Sequence, residues 1–219
     1  MNAGTESKLS ALLVVDLQPD FMPGGALAVD LGDEIVAPIA ELMRSGRFDV
    51  IIATQDWHPP DHISFASQHE GKDPFDVIDL YGRPQILWPD HCVQETPGAA
   101  LHALVPSAPI DAIVRKGTDR EVDSYSAIRN NWNADGERPP TGLGGYLEAR
   151  RVSEVCICGL TRDFCAKWTA EDAAALGFRT RVIWDLTRAV DPSSDSEVRA
   201  DLHKIGVELI ESAELMRGR

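Results

Sequence analysis

Short apolar and β-branched runs recur along the chain at residues 11–17, 50–54, 110–115, 155–159, 180–185 and 207–210. Each run is nearly continuous, the pattern of a strand buried on both faces, and apolar residues at helical spacing fill the intervals. The clearest helices are predicted at 33–44, 143–149, 164–176 and 194–204. Gly177 suits the C′ position of the third, and Asp191-Pro192-Ser193-Ser194 offers N-caps for the fourth. This alternation predicts an α/β fold: a three-layer, six-stranded, mainly parallel and Rossmann-like sheet flanked by helices. Two stretches break the rhythm. Residues 55–94 are rich in His, Asp, Pro and Trp and too long for a plain connection, while 130–145 carry Asn, Gly and Pro-Pro and read as a surface excursion. Long loops in compact domains are often functional, so ligands are expected on the first.

With 219 residues, 43% of them hydrophobic, the chain can build one substantial core, and a single domain over 1–219 with a core of about 9–212 is expected. The formal net charge of -14 is dispersed. That argues against nucleic acid or an anionic membrane as partner, because phosphate binding needs clustered Lys and Arg. The polar start, Met1 to Leu9, lacks the basic flank and apolar core of a signal peptide, and no run reaches the length of a membrane span, so a cytoplasmic protein is expected. Cys92, Cys156, Cys158 and Cys165 are then reduced thiols. Cys156 and Cys158 fall on the same side of one strand, where they pack as small hydrophobes.

Cys165 follows the strand at 155–159, near the start of the next helix. A thiol there meets the positive end of the macrodipole and free N–H groups, which lower its pKa and can hold an oxyanion. Asp16 ends the first apolar run and Lys116 the third. Singly, Asp16 reads equally as a loop cap and Lys116 as a surface lysine. In a parallel sheet, however, all three lie at strand C-terminal ends and can share one cleft, where Lys116 would keep Asp16 ionised and favour the thiolate. Asp56 and His58, with His91 further on and His62 between, offer oxygen and nitrogen donors suited to Zn²⁺, Fe²⁺ or Mn²⁺; a solvated polar loop is the alternative. Phe21 and Trp88 are candidate walls for a flat ring, with Trp57 and Tyr125 behind them.

The segments Val-Val-Asp16-Leu-Gln-Pro-Asp-Phe21, Gln55-Asp56-Trp57-His58-Pro-Pro-Asp-His62, Leu87-Trp88-Pro89-Asp90-His91-Cys92, Lys116-Gly117 with Asp123-Ser124-Tyr125-Ser126, and Gly159-Leu160-Thr161-Arg162-Asp163-Phe164-Cys165 occur in one order along the chain. In them the sequence resembles the nicotinamidase (pyrazinamidase) branch of the isochorismatase-like hydrolases. The resemblance implies the six-stranded parallel fold, a catalytic triad of Asp16, Lys116 and Cys165, and a divalent metal on Asp56, His58 and His91, with His62 a ligand in some relatives. It also implies a cis Leu160–Thr161 peptide that turns the Thr161 and Cys165 N–H groups toward one oxyanion, and a substrate ring between Phe21 and Trp88, with Tyr125 nearby. The implied reaction is hydrolysis of nicotinamide, and also of pyrazinamide, through a thioester in NAD salvage, by a chain that in relatives often forms homo-oligomers. Arg162 and Glu95 depart from the family pattern, and an altered rim or partner surface is expected from them. The rival readings are a related amidase for another small amide, a metallohydrolase with a structural Cys165, and a metal- or ring-binding protein without turnover.

Overall fold

The computed structural model describes residues 9–217. The polar start read above as lacking a signal peptide therefore lies, apart from Leu9, outside the described residues. In chain order the elements are β1 (Leu9–Val15), α1 (Val36–Arg44), β2 (Val50–Asp56), β3 (Val77–Leu80), β4 (Arg83–Ile86), β5 (Ala112–Lys116), α2 (Leu143–Ala149), β6 (Val152–Leu160), α3 (Lys167–Ala175), β7 (Arg179–Arg188), α4 (Asp195–Lys204), β8 (Glu208–Ile210) and α5 (Ser212–Arg217). Six strands form one parallel sheet in the order β5-β2-β1-β6-β7-β8. All six expected strands and all four expected helices are present.

The continuous apolar strands arise because each central strand feeds two cores. Leu13 and Val15 of β1 pack with Leu147 of α2, Ala170 and Ala173 of α3 and Val198 and Leu202 of α4. Leu12 and Val14 point the other way, against Ile39, Leu42 and Met43 of α1. Cys156 and Cys158 join this second core as buried free thiols, as their spacing predicts. Alternation of side chains across a pleated strand leaves no solvent face between Ala11 and Val15, so that stretch is apolar throughout, and Ser10 falls at the strand's entry end.

Differences from the expectation have local causes. β1 stops at Val15 instead of running to Leu17, because Asp16 takes a left-handed backbone with φ of 47°. The first predicted helix begins as a single tight turn at Asp33–Ile35, and the third is preceded by a wide, π-type turn at Arg162–Ala166. Residues 55–94 also contain an antiparallel hairpin, β3–β4, that the apolar pattern does not predict; half of its strand residues are exposed, and Pro84 is tolerated at such an edge. The excursion at 130–145 is tied down: Arg138 grips Asp172 of α3 with two hydrogen bonds of 2.7 and 2.8 Å. Among the described residues no helix is long and apolar enough to cross a membrane.

Candidate active site

Neighbouring parallel strands β5, β2, β1 and β6 bring their C-terminal ends to one crevice, the place where open α/β sheets bind ligands. Asp16 follows β1, Asp56 ends β2, Lys116 ends β5, and β6 leads through a cis Leu160–Thr161 peptide into the turn carrying Cys165. Lys116 is the hub. Its Nζ lies 2.9 Å from Asp16 Oδ2 and donates to Asp56 Oδ1 at 2.7 Å, Ser124 O at 3.0 Å and Cys165 Sγ at 3.4 Å. Thr54 locks Asp16 in its left-handed conformation: the hydroxyl donates to Oδ1 at 2.5 Å and accepts from the Asp16 N–H at 3.1 Å. Gln18 brackets Asp56, accepting from its N–H and donating to its carbonyl, both at 2.8 Å.

These groups are buried, and burial sets their chemistry. It raises the Asp16 carboxyl above the usual carboxylate range, with Lys116 pulling the other way. Burial also works to raise Asp56, but Lys116 and His58 outweigh it and hold this carboxyl well below its ordinary value. The Lys116 ammonium resists burial because Asp16 and Asp56 hold it well above the ordinary lysine range. Burial pushes the Cys165 thiol far up; Lys116 and the Thr161 N–H oppose this, while Asp16 and Asp56 add to it. The sequence predicts a lowered thiol, and the structure corrects that. Cys165 lies inside the wide turn, before α3 begins at Lys167, and is buried facing two carboxylates. A protonated thiol needs a base. Asp16 Oδ2 touches Lys116 but is a buried acceptor with no aligned hydrogen-bond donor among the described residues, so it has a lone pair to spare.

One donor atom each from Asp56, His58 and His91 lies within 4.8 Å of the others. His58 Nδ1 is 3.0 Å from Gly117 O and His91 Nδ1 is 2.8 Å from Pro89 O. In the neutral imidazoles the carbonyl acceptors fix the proton on Nδ1, which makes Nε2, 3.4 and 3.6 Å from Asp56, the atom each ring would offer to a cation. Gly117, with φ of 63°, has no substitute here, because a Cβ would collide with the His58 ring. One carboxylate and two oriented imidazoles fit a divalent cation with further positions open. His62 stands apart from this trio. Its Nδ1 is 2.7 Å from Ser64 Oγ, its Nε2 is 3.4 Å from Val122 O, and its donors group with His58 and Asp123 instead. Burial, helped by His58, lowers its imidazole to about 4.

A cavity opens on these groups, with Phe21, Trp88, Tyr125 and Phe164 among its walls. The Trp88 and Phe164 rings meet edge to face at 4.9 Å, and Phe164 meets Tyr125 at 5.3 Å. Phe164, Asp123 and Val190 also line the cavity without having been singled out, although two of them stand in the quoted segments. Trp57 is not a wall; Arg115 stacks on it at 3.8 Å. Nor does Arg162 lie on a rim or an exposed surface. It is buried, stacked on Trp184 at 4.1 Å, and donates to Thr187 Oγ1, Thr187 O, Trp184 O and Asp195 Oδ2 at 2.6–3.1 Å.

Comparison with known proteins gives a consistent picture. The isochorismatase domain matches residues 10–214. The nicotinamidase of Acinetobacter baylyi is 49% identical over 181 residues, covering 83% of this chain and 82% of that one. A solved Acinetobacter baumanii nicotinamidase pyrazinamidase superposes with a TM-score of 0.89 at 42% identity, over 96% of this chain and all of that one. The pyrazinamidase of Pyrococcus horikoshii in complex with zinc superposes with a TM-score of 0.74 at 32% identity, over 92% of this chain and 98% of that one.

Proposed function

The chain belongs to the isochorismatase domain family, and on that premise we propose that it is a nicotinamidase, hydrolysing nicotinamide to nicotinate and ammonia, with pyrazinamide as a second substrate. The observation that carries the reading is the contact of one ammonium, Lys116, with a buried thiol and two buried carboxylates at the mouth of an aromatic pocket. The thiol is the nucleophile. As Cys165 Sγ bonds to the amide carbon, its proton passes to Asp16 Oδ2, and the developing oxyanion is held by the Thr161 and Cys165 N–H groups. The C–N bond then breaks, Asp16 returns the proton to the nitrogen, and ammonia leaves a thioester on Cys165. Water attacks the thioester carbon, giving its proton to Asp16, and the thiol is regenerated as the carboxylic acid departs. Throughout, Lys116 balances whichever of Asp16 and the sulfur carries negative charge.

Phe21 and Trp88 flank the ring, with Tyr125 closing the pocket beside them. Asp56, His58 and His91 would hold a divalent ion, zinc by the choice of the Pyrococcus relative, which would supply a Lewis-acid contact to the pyridine nitrogen. Asp56 therefore positions substrate from one side of Lys116 while Asp16 moves protons on the other. A cytoplasmic location agrees with four reduced cysteines. An ammonia-release assay with nicotinamide tests the reading: native enzyme turns over, and Cys165→Ala loses turnover while still binding nicotinamide. Turnover retained in Cys165→Ala would refute covalent catalysis, and native enzyme inert toward nicotinamide would refute the assignment.

A further inference from the structure

A second cavity lies on the far side of Tyr125, lined by Arg83, Gln85, Asn131, Trp132 and Trp168 as well as by Tyr125 itself. Its chemistry differs from that of the catalytic pocket. The Trp132 and Trp168 rings meet edge to face at 5.9 Å, and Trp168 meets Tyr125 at 5.2 Å, so three aromatic rings bound one space. Arg83 is the one charged residue lining it, its guanidinium stacked on Trp132 at 4.1 Å. Among the described residues Arg83 has no carboxylate partner, whereas the nearby Arg138, which also borders both indoles, is committed to Asp172 at 2.7 Å. In a chain of net charge -14, a cavity lined by a guanidinium without a carboxylate partner among the described residues, beside two indole rings and with no acidic lining residue, suits a planar anion.

From this arrangement we infer that the outer cavity is a binding site for a small aromatic carboxylate, of which nicotinate is the one this enzyme itself releases; the choice of that acid rests on the proposed function. The carboxylate would meet Arg83, and the ring would sit among the aromatic side chains of Tyr125, Trp132 and Trp168 that line the cavity. The site communicates with the catalytic pocket through shared parts: Tyr125 walls both, and Gln85 Nε2 donates to Asp123 Oδ2 at 2.8 Å and reaches Tyr125 Oη at 3.3 Å. Asp123 in turn lines the catalytic pocket.

The test is nicotinate binding by calorimetry to holoenzyme whose Cys165 has been alkylated to obstruct the inner pocket, with Arg83→Ala distinguishing binding at the outer cavity from any that remains at the inner one. One nicotinate per chain is expected, and nicotinamide, lacking the charge, should bind there at least about tenfold more weakly. Arg83→Ala and Trp132→Ala should each weaken that binding about tenfold or more while leaving ammonia release from nicotinamide at the native rate in unalkylated enzyme. No binding to the alkylated enzyme, equal affinity for acid and amide, or binding unchanged in Arg83→Ala would each overturn the inference. Ammonia release separates the two readings: turnover of nicotinamide without outer binding sinks the outer site alone, and outer binding without turnover sinks the proposed function alone.

Discussion

Lys116 is a buried cation shared by two carboxylates and a thiol, so its removal is felt first as stability. Lys116→Met leaves Asp16 and Asp56 desolvated without a counter-charge, and the expected loss is about 3–5 kcal/mol in urea unfolding. Arginine does not rescue the site, since its planar fork cannot replace a compact ammonium among four partners. Arg162 belongs to the same class for another reason. Its four hydrogen bonds and its stack on Trp184 tie the turn carrying Cys165 to the end of β7 and to α4, and the neighbouring Asp163 accepts from the Val190 and Asp191 N–H groups at 3.0 and 2.9 Å. Arg162→Leu should cost about 2–4 kcal/mol, measured by the same unfolding curve, because buried carbonyls lose a charged donor. An effect below about 0.5 kcal/mol would show that the contacts are incidental. Glu95 works in the opposite sense. It holds φ of 65°, a conformation glycine adopts freely, so Glu95→Gly should stabilise the fold by about 0.5–1 kcal/mol with ammonia release unchanged.

At the scale of elements, the strands were legible because β1, β2 and β6 feed two cores and so carry unbroken apolar runs. The hairpin β3–β4 was not, since a short exposed ribbon with Pro84 carries neither signal. The convergence of Asp16, Lys116 and Cys165 was readable from strand ends alone, but the state of the thiol was not. Position in the chain says that a helix follows; only the packed sheet says that Asp16 and Asp56 crowd the sulfur. Arg162 was misplaced for the same reason, its partners lying 22 to 33 residues away. The loop after β2 gives a sharper test of what spacing can tell. The sequence reading ranks His62 behind His58 and His91 as a ligand, and among these three only His58 and His91 have Nε2 near Asp56. His91→Asn should therefore lose bound metal by elemental analysis, and His62→Asn should retain it at one ion per site; equal loss in both would make His62 a ligand.

For the whole molecule the relevant quantity is its field. Thirty-five acidic residues against 21 basic ones give a net charge of -14, dispersed along the chain. Such a field acts on charged partners over roughly 30 Å at about 0.01 M salt and only about 3 Å at about 1 M. Nicotinamide is neutral and gains nothing from it, so kcat/KM for the amide should stay within about twofold across that range. A divalent cation approaching Asp56 from solvent is in the opposite position, being attracted from every direction. Its association rate with the metal-free protein should fall at least about tenfold over the same range, while its dissociation, governed by the buried donors, changes little. Stopped-flow metal uptake and steady-state ammonia release on one preparation give both slopes. A steep salt dependence of turnover would mean that the field helps gather the substrate, which a neutral amide does not allow. A flat metal on-rate would mean that the ion enters through a passage shielded from the surface charge.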